Sequence, residues 1–188
     1  MEIDEVAAHD DDKEAALIAR AIEGKAEAFG HLYDRYLERI YRHIYYRVGN
    51  VSDSQDLAQE VFLRAWRAIP HYRSMGRPFV AWLFTIAHNL VKDHYRRRKG
   101  TLPLEELNEE AFPTQPDKEA EAYADKDEIR RCLVYLSTEQ QQVLCLRFID
   151  DLDYHEVASI MGKKEGTIRV LQHRALAQLR QIMEQEKG

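Results

Sequence analysis

The chain contains few of the residues that interrupt helices or support redox and metal chemistry. Its 188 residues include five prolines, eight glycines and two cysteines. Scarce proline and glycine permit long helices. Cys132 and Cys145 form neither a CxxC pair nor a ligand cluster, so we expect both to be buried, small apolar side chains. The sequence predicts no metal and no cofactor.

Long apolar runs are also missing. No apolar stretch approaches the ~20 residues that a membrane-spanning helix needs. The N-terminal segment MEIDEVAAHDDDKE is acidic, and it lacks the basic and apolar regions of a signal peptide. The sequence therefore predicts a cytoplasmic protein with no membrane insertion.

Charge is unevenly distributed along the chain, whose net charge is −6. Residues 1–12 hold six acids and no base, residues 13–100 have a net charge of +7, and residues 101–130 have a net charge of −7. A basic block followed by an acidic block indicates a different partner for each.

Apolar residues recur at helical spacing in the first block, and no strand pattern stands out in the chain. One helix carries the apolar residues from Phe29 to Ile44 and ends at Gly49. Ser52 and Gln55 have the spacing of a capping box and predict the start of a second helix. A third helix is predicted from about Phe79 to Lys99, ending at Gly100.

The remainder divides into a linker and a second helical block. Residues 101–126 combine three prolines with many acids and predict a flexible linker, whose carboxylates could mimic an RNA backbone. Two capping boxes follow, Ser137 with Gln140 and Asp153 with Glu156. After a turn at Gly162, the last helix covers about Glu165 to Met183.

Five of the eight residues from Lys92 to Lys99 are Lys or Arg. On a helix, Thr85, Asn89, Lys92 and Arg96 form a stripe apart from the apolar face. Cations neutralise phosphates and Asn can pair with an adenine edge. Cations at a helix end also complement its dipole, but five exceed what a cap requires, so we favour nucleic-acid binding.

The loop before this helix, PHYRSMGRP at residues 70–78, interleaves aromatic and basic residues. Such a loop can stack unpaired bases, although an ordinary loop also accounts for the pattern. On the preceding helix, Asp53, Asp56 and Glu60 fall at i, i+3 and i+7. No histidine or nucleophile shares that spacing, which leaves a solvated face or a docking face for a basic protein surface.

The segment DLDYHEVASIMGKKEGTIRVLQHRALAQLR has the form helix, glycine turn, helix. Ala158 is small where the helices would cross, and Ile168 and Leu171 can pack the second helix onto the first. Donors near the start of the second helix are typical of a DNA-reading helix, although a small packed bundle has the same outline. These donors are Lys163, Lys164, Thr167, Arg169, His173 and Arg174.

Together, DSQDLAQEVFLRAWRAI, FVAWLFTIAHNLVKDHYRRRK and the C-terminal block resemble an extracytoplasmic-function sigma factor of bacterial RNA polymerase, from about residue 13 onward. The resemblance implies an all-α fold with two small helical domains and no enzymatic activity. It implies an acidic tail at 1–12, a sigma-two helical bundle at 13–100, an acidic flexible linker at 101–126 and a sigma-four helix–turn–helix domain at 127–188.

The resemblance also assigns roles. It implies that four residues dock on the clamp helices of the largest polymerase subunit, namely Asp53, Asp56, Gln59 and Glu60. Recognition and melting of the minus-ten promoter element falls to His71, Tyr72, Arg73, Arg77, Trp82, Asn89, Lys92, Arg96 and Arg97. The six donors of the last helix would read the minus-thirty-five element, while their domain docks on the polymerase flap. An anti-sigma factor is a further implied partner.

One departure from the family concerns the last helix, which commonly reads Gly-Thr-Val-Lys-Ser-Arg-Leu-His-Arg-Ala-Arg. Here Val170 and Leu171 replace Ser-Arg and Leu176 replaces Arg, which makes the helix less basic. The alternative function is a free-standing helix–turn–helix regulator, which leaves the carboxylate stripe and the aromatic loop unexplained. A histidine enzyme is disfavoured because His88 and His94 are six residues apart and no HExxH motif occurs.

Overall fold

The computed structural model describes residues 2–74, 76–101, 124–133 and 135–186, and every regular element in these ranges is helical. The elements are α1 Glu2–Ile22, α2 Ala26–Val48, α3 Val51–Ala68, a 3₁₀ turn Ile69–His71, α4 Phe79–Thr101, α5 Ala124–Leu133, α6 Thr138–Leu144, a π turn Cys145–Ile149, α7 Tyr154–Met161 and α8 Glu165–Glu186. The all-α prediction is confirmed.

Two predicted segments need comment against these bounds. Residues 2–12, predicted as an acidic tail, form the first part of α1. Residues 102–123, which make up most of the predicted acidic linker, lie outside the described residues, and with them lies the hypothesis that the linker mimics RNA. The helix after the linker begins at Ala124.

Helices α1 to α4 form an N-terminal unit around the apolar face of α2. Leu32, Ile40 and Ile44 are fully buried there. Helix α2 ends at Gly49, which has a φ of +74° and donates its N–H to the Tyr45 carbonyl at 2.8 Å. A left-handed residue at this position favours glycine, because no Cβ opposes it.

The predicted start of α3 was wrong. Its N-cap is Asn50, whose Oδ1 accepts the Asp53 N–H at 2.7 Å, so the Ser52–Gln55 capping box does not form. Asparagine is among the best N-cap residues, and it directly follows the residue that ends α2. The cap therefore sits at the first position available to it, two residues before Ser52.

The predicted end of α4 was also wrong, because the helix continues through Gly100 to Thr101. Glycine permits a helix to end but does not force it to. On the face of α4 predicted to be core, Phe79, Leu83 and Leu90 are buried, and Ile86 is half-buried. Phe84 is equally buried, and its ring meets the His43 ring of α2 edge-on at 4.9 Å, centroid to centroid.

Helices α5 to α8 form a C-terminal unit in which the predicted caps are confirmed. Both capping boxes are present, at Ser137 and at Asp153. Gly162 has a φ of +64° in the turn between α7 and α8. The helix that the Ser137 capping box starts is regular only to Leu144. It then widens into a π turn, which ends where the Asp150 N–H donates to the Cys145 carbonyl at 3.0 Å.

The cysteines are buried, as predicted, and form no disulfide with each other. Burial, together with the nearby Asp150 carboxylate, raises the pKa of the Cys145 thiol to about 12. A thiol with so high a pKa is unreactive at neutral pH. Among the described helices, none has the length and apolarity needed to cross a bilayer.

Candidate nucleic-acid interface

One face of α3 is buried and the opposite face is acidic. Leu57, Val61 and Phe62 pack into the core, whereas Asp56 and Gln59 are exposed. The other two predicted docking residues are partly exposed and lie near cationic or ionisable groups. Glu60 accepts a hydrogen bond from Arg64 at 2.7 Å, and Asp53 Oδ2 lies 3.7 Å from His94 Nε2.

This acidic face shows no sign of a metal site. Within the part of the chain that the structure describes, no group of three His, Cys, Asp or Glu side chains is arranged to hold a metal ion. The exposed carboxylates therefore form a row that another protein can contact.

The loop after the 3₁₀ turn is attached to α4 by aromatic packing. The Tyr72 ring lies 4.8 Å from the Trp82 ring and meets Phe79 edge-on at 5.3 Å, centroid to centroid. Burial raises the pKa of the Tyr72 hydroxyl, and the Glu14 carboxylate adds to the effect. Tyr72 and Trp82 are partly buried, so they form an ordered aromatic platform that keeps some exposed surface.

The predicted cationic stripe continues from this platform along the same side of α4. Asn89, Lys92 and Arg97 are exposed. Arg96 is 78 % exposed and its Nη2 lies 3.2 Å from Asp93 Oδ1. The stripe therefore presents an amide and two cations to solvent, in line with Trp82, and the exposed Arg97 lies beside it.

One member of the stripe is engaged within the fold. Thr85 is half-buried, and its hydroxyl donates to the Ala81 carbonyl one turn earlier at 3.0 Å. A bond of this kind satisfies the hydroxyl inside its own helix. Of the loop cations, Arg73 is exposed, as is His71, while Arg77 donates a hydrogen bond to the Ser159 hydroxyl on α7.

The C-terminal unit contains the predicted helix–turn–helix. Ile168 is fully buried and Ala158 nearly so, which places α8 across α7 as the sequence indicates. Five of the six predicted donors on this side are exposed, namely Lys164, Thr167, Arg169, His173 and Arg174. The sixth, Lys163, is largely covered and bonded to Glu139 of α6 at 2.9 Å, which makes it less available to DNA.

Tyr154, which the sequence motifs do not indicate, orders the side chains of Arg147 and Arg169. The Arg169 guanidinium lies 4.0 Å from the centre of the Tyr154 ring, and that of Arg147 lies 4.3 Å from the same ring. Stacking on an aromatic ring limits the motion of a guanidinium. No local signal reveals this, because the three residues come from different helical elements.

The matches to known families and proteins agree with this geometry. The model of Sigma-70 region 2 matches residues 32–101, and that of Sigma-70 region 4 matches residues 132–181. The ECF RNA polymerase sigma factor SigD of Mycobacterium tuberculosis is 35% identical over 175 residues, which cover 88% of this chain and 81% of SigD. This chain belongs to the extracytoplasmic-function sigma factors.

Other relatives extend the comparison. The ECF RNA polymerase sigma factor BldN of Streptomyces coelicolor is 41% identical over 174 residues, and these cover 89% of the sigma factor described here and 64% of BldN. The solved structure of CnrH in complex with the cytosolic domain of CnrY superposes with a TM-score of 0.72 at 24% identity, covering 92% of this chain and 97% of CnrH. At that identity the superposition supports the fold alone.

A second solved structure has the same fold. The sigma factor RpoE of Bartonella quintana, in complex with the anti-sigma factor NepR, matches with a TM-score of 0.66 at 22% identity, over 83% of this chain and 96% of RpoE. As a member of its family, the sigma factor is a promoter-specificity subunit of RNA polymerase and not an enzyme. The alternative of a free-standing regulator is not favoured.

Proposed function

We propose that this sigma factor binds polymerase and promoter DNA through three surfaces. Two lie on its N-terminal unit, and the third is the recognition helix of its C-terminal unit. The acidic face of α3 docks on the polymerase clamp helices, α4 and its loop read the minus-ten element, and α8 reads the minus-thirty-five element. The observation that carries the proposal is the alignment of the Tyr72–Trp82 platform with Asn89, Lys92 and Arg96 along one open side of α4.

That alignment suits DNA at the point where the duplex opens. An unpaired base stacks on a half-exposed aromatic ring, and every base offers a π-face for it. The cations further along α4 neutralise the phosphates of the adjoining strand. Asn89 lies between the platform and the cations, where its amide can pair with a base edge. Reading and melting therefore take place on one continuous surface.

Docking on polymerase is assigned to the α3 face because it is acidic and exposed. We expect Asp56→Arg to reduce core polymerase affinity on the order of tenfold or more, because like charges repel across an interface. The matched control is Asp34→Arg, which makes the same change at an exposed position of α2. Competition binding against the wild type measures both. Equal affinity in the two variants would remove Asp56 from the interface.

The C-terminal unit contributes less positive charge than is usual in the family. Val170 is 51% and Leu176 38% exposed on α8, where the family commonly has polar or basic residues. Fewer phosphate contacts mean weaker binding to the upstream element. We therefore propose that the minus-ten contacts supply more of the promoter affinity than the minus-thirty-five contacts do. We also propose that the C-terminal unit contacts the polymerase flap.

We further propose an anti-sigma partner for this sigma factor. The CnrH structure contains the cytosolic domain of CnrY, and the RpoE structure contains the anti-sigma factor NepR. A protein of that class would act here by covering the polymerase- and DNA-binding surfaces. The proposed site of action is the cytoplasm, where polymerase and promoter DNA meet.

Run-off transcription tests the proposed function. Core polymerase is combined with a genomic fragment library, with and without the chain, and promoter-specific products are expected only when the chain is present. Gel-shift assays on duplex DNA without polymerase form the second arm. Tight specific binding to duplex by the chain alone, with no run-off product from any bacterial core, would support the helix–turn–helix regulator instead.

A further inference from the structure

The side of α8 that faces away from the core of the C-terminal unit is small and mostly uncharged at its centre. Ile168 and Ala175 are fully buried and define the inward side of the helix. At 100° per residue, four exposed residues lie within about 30° of the opposite direction, namely Gly166, Val170, His173 and Ala177. The middle of the outward side therefore carries a glycine, a valine and an alanine beside one histidine.

Val170 gives this outward surface its apolar character. Its side chain is 51% exposed and lies within the first two turns of α8. The residues near the start of a recognition helix are those that contact base edges. The next residue, Leu171, packs against the core and is only partly exposed. Of these two adjacent departures from the family pattern, Val170 is therefore the one that changes the outward surface.

The polar residues beside Val170 lie to its two sides. The Arg169 guanidinium is 4.0 Å from the centre of the Tyr154 ring, and its Nη2 is 3.9 Å from Glu165 Oε2. The stacking contact draws this cation toward α7 and away from the middle of the outward side. Thr167 and Arg174 lie on the opposite flank by the same helical arithmetic. Val170 is therefore bordered by hydrogen-bond donors and remains uncovered.

Gly166, one turn before Val170, allows a binding partner to approach the helix closely. A Cβ atom at Gly166 would meet nothing within 4 Å, so packing within the chain does not require a glycine there. Its φ is also not positive, so the backbone does not require one. Glycine weakens a helix relative to alanine and permits close approach of the backbone to a ligand. The position is therefore better suited to contact with a partner than to stability of the fold.

The chemistry of this surface matches one feature of the major groove. Thymine presents a C5-methyl group there, whereas the other groups that distinguish the base pairs are hydrogen-bond donors and acceptors. The Val170 side chain has no donor or acceptor, so covering a polar base edge with it would leave that edge without a partner. Against a methyl group it buries apolar surface without that penalty. An exposed valine at this position therefore favours thymine.

We propose that Val170 is a specificity-determining residue, which selects a thymine in the minus-thirty-five element through the C5-methyl group of that base. The inference rests on the proposed contact between α8 and this element. Arg169 and Arg174 bind the phosphates and base edges on either side, while Val170 decides one base position. A residue that reads a methyl group gives the element sequence preference without adding positive charge to the helix.

Removing single methyl groups from the DNA tests the inference. In a promoter fragment recovered by run-off transcription, each thymine of the upstream element is replaced in turn, on either strand, by deoxyuridine. Deoxyuridine pairs as thymine does and lacks only the C5-methyl group. Competition binding by holoenzyme should show about a fourfold loss of affinity at one position, the effect of one buried methyl group. An element without thymine, or no loss above about twofold at any position, would overturn the inference.

Variants of Val170 assign the methyl effect to this residue. Val170→Ser removes both methyl groups, so thymine and deoxyuridine should then bind equally, while Val170→Thr keeps one methyl group and should retain part of the difference. Leu176→Ser is the matched control, since it changes an exposed apolar residue on another side of α8 and should keep the wild-type difference.

Helical circular dichroism of each variant must match the wild type. If Val170→Ser fails that check, Val170→Ala takes its place, because alanine favours the helix. A deoxyuridine effect of wild-type size in the correctly folded variant would remove Val170 from the reading of that base.

The same scan separates this inference from the proposed function. If run-off transcription gives no product, the scan uses a duplex selected from a random library by the chain alone, because α8 would read duplex DNA in either case. A methyl effect that disappears in Val170→Ser would then support the inference while the proposed function fails. Run-off products with equal affinity for every deoxyuridine fragment would support the function and overturn the inference. Failure to bind any specific duplex would overturn both.

Discussion

At the level of single residues, the cations of α4 contribute little to the fold. Arg96 is 78% exposed and meets Asp93 at i, i+3, an ion pair worth a few tenths of a kcal/mol. Lys92 is likewise exposed. Their concentration on one side of α4 therefore adds little stability, in keeping with the proposed role in DNA binding.

Replacing these cations tests whether they contact promoter DNA. Lys92→Ala or Arg96→Ala should each reduce by about one the slope of log affinity against log salt for promoter binding by holoenzyme, since each removes one phosphate contact. Arg67→Ala, an exposed cation of α3, serves as control and should leave the slope unchanged. A wild-type slope in both α4 variants would place the stripe outside the DNA interface.

His88 on α4 is the residue through which pH should act. Its pKa is lowered from 6.5 to about 4, chiefly by burial, with the charges of Arg47, His43 and Lys92 adding to the effect, while Gln142 of α6 opposes it slightly. The folded chain then binds fewer protons than the unfolded chain between these values. The contribution of His88 to the free energy of unfolding is therefore fully present above pH 6.5 and is lost as pH falls toward 4.

Acidification is expected to lower the contribution of His88 to the free energy of unfolding by about 1 to 2 kcal/mol, a figure that allows for the water that reaches the ring. Urea unfolding at pH 7 and pH 4.5 measures it, with His88→Gln compared to the wild type. The variant should lose less stability on acidification, whereas His31→Gln, at an exposed position of α2, should behave as the wild type. An equal loss in His88→Gln and the wild type would contradict the assignment.

At the level of elements, the start of a helix could be predicted where only one nearby side chain is able to cap it. The capping boxes at Ser137 and Asp153 depend on residues three positions apart, so the sequence alone indicates them. The start of α3 was misplaced because Asn50 and Ser52 are both competent caps. Preference between them depends on where α2 ends, since Asn50 directly follows Gly49 and is the first competent cap after it.

The cap of α3 can be tested directly. Asn50→Ala should lower the free energy of unfolding by about 1 kcal/mol, because the Asp53 N–H loses its acceptor. Ser52→Ala, at the position first predicted to cap, should change it by no more than a few tenths of a kcal/mol. Urea denaturation of both variants distinguishes the two starts of the helix, and a larger effect at Ser52 would contradict the Asn50 cap.

At the level of the whole molecule, the apolar residues of both units belong to one continuous core cluster, with Phe84 and Val91 of α4 and Val143 and Ile160 of the C-terminal unit among its members. A shared core couples the unfolding of the units. We expect the wild type to unfold in one cooperative transition in urea, with the probes of both units coinciding.

Weakening the interface should separate the transitions. In Asp150→Asn we expect either two transitions or one with a lower midpoint, because the buried hydrogen bond between Asp150 Oδ2 and His43 Nδ1, which joins the units, is disrupted. Circular dichroism reports all helices, while tryptophan fluorescence reports Trp66 and Trp82 in the N-terminal unit. Asp151→Asn, which makes the same change at the exposed neighbour, is the control. A single transition at the wild-type midpoint would show that the units are coupled without Asp150.

The amino-acid sequence by itself determined the helices, most of their ends, the acidic and cationic faces and the family. These features depend on residues within one or two helical turns, so periodicity and caps express them locally. Only the tertiary structure decided that His43 pairs with Asp150, that Arg47 is buried and that Arg77 of the loop contacts Ser159 of α7. Such contacts join residues about a hundred positions apart, and their formation depends on how two packed units fit together.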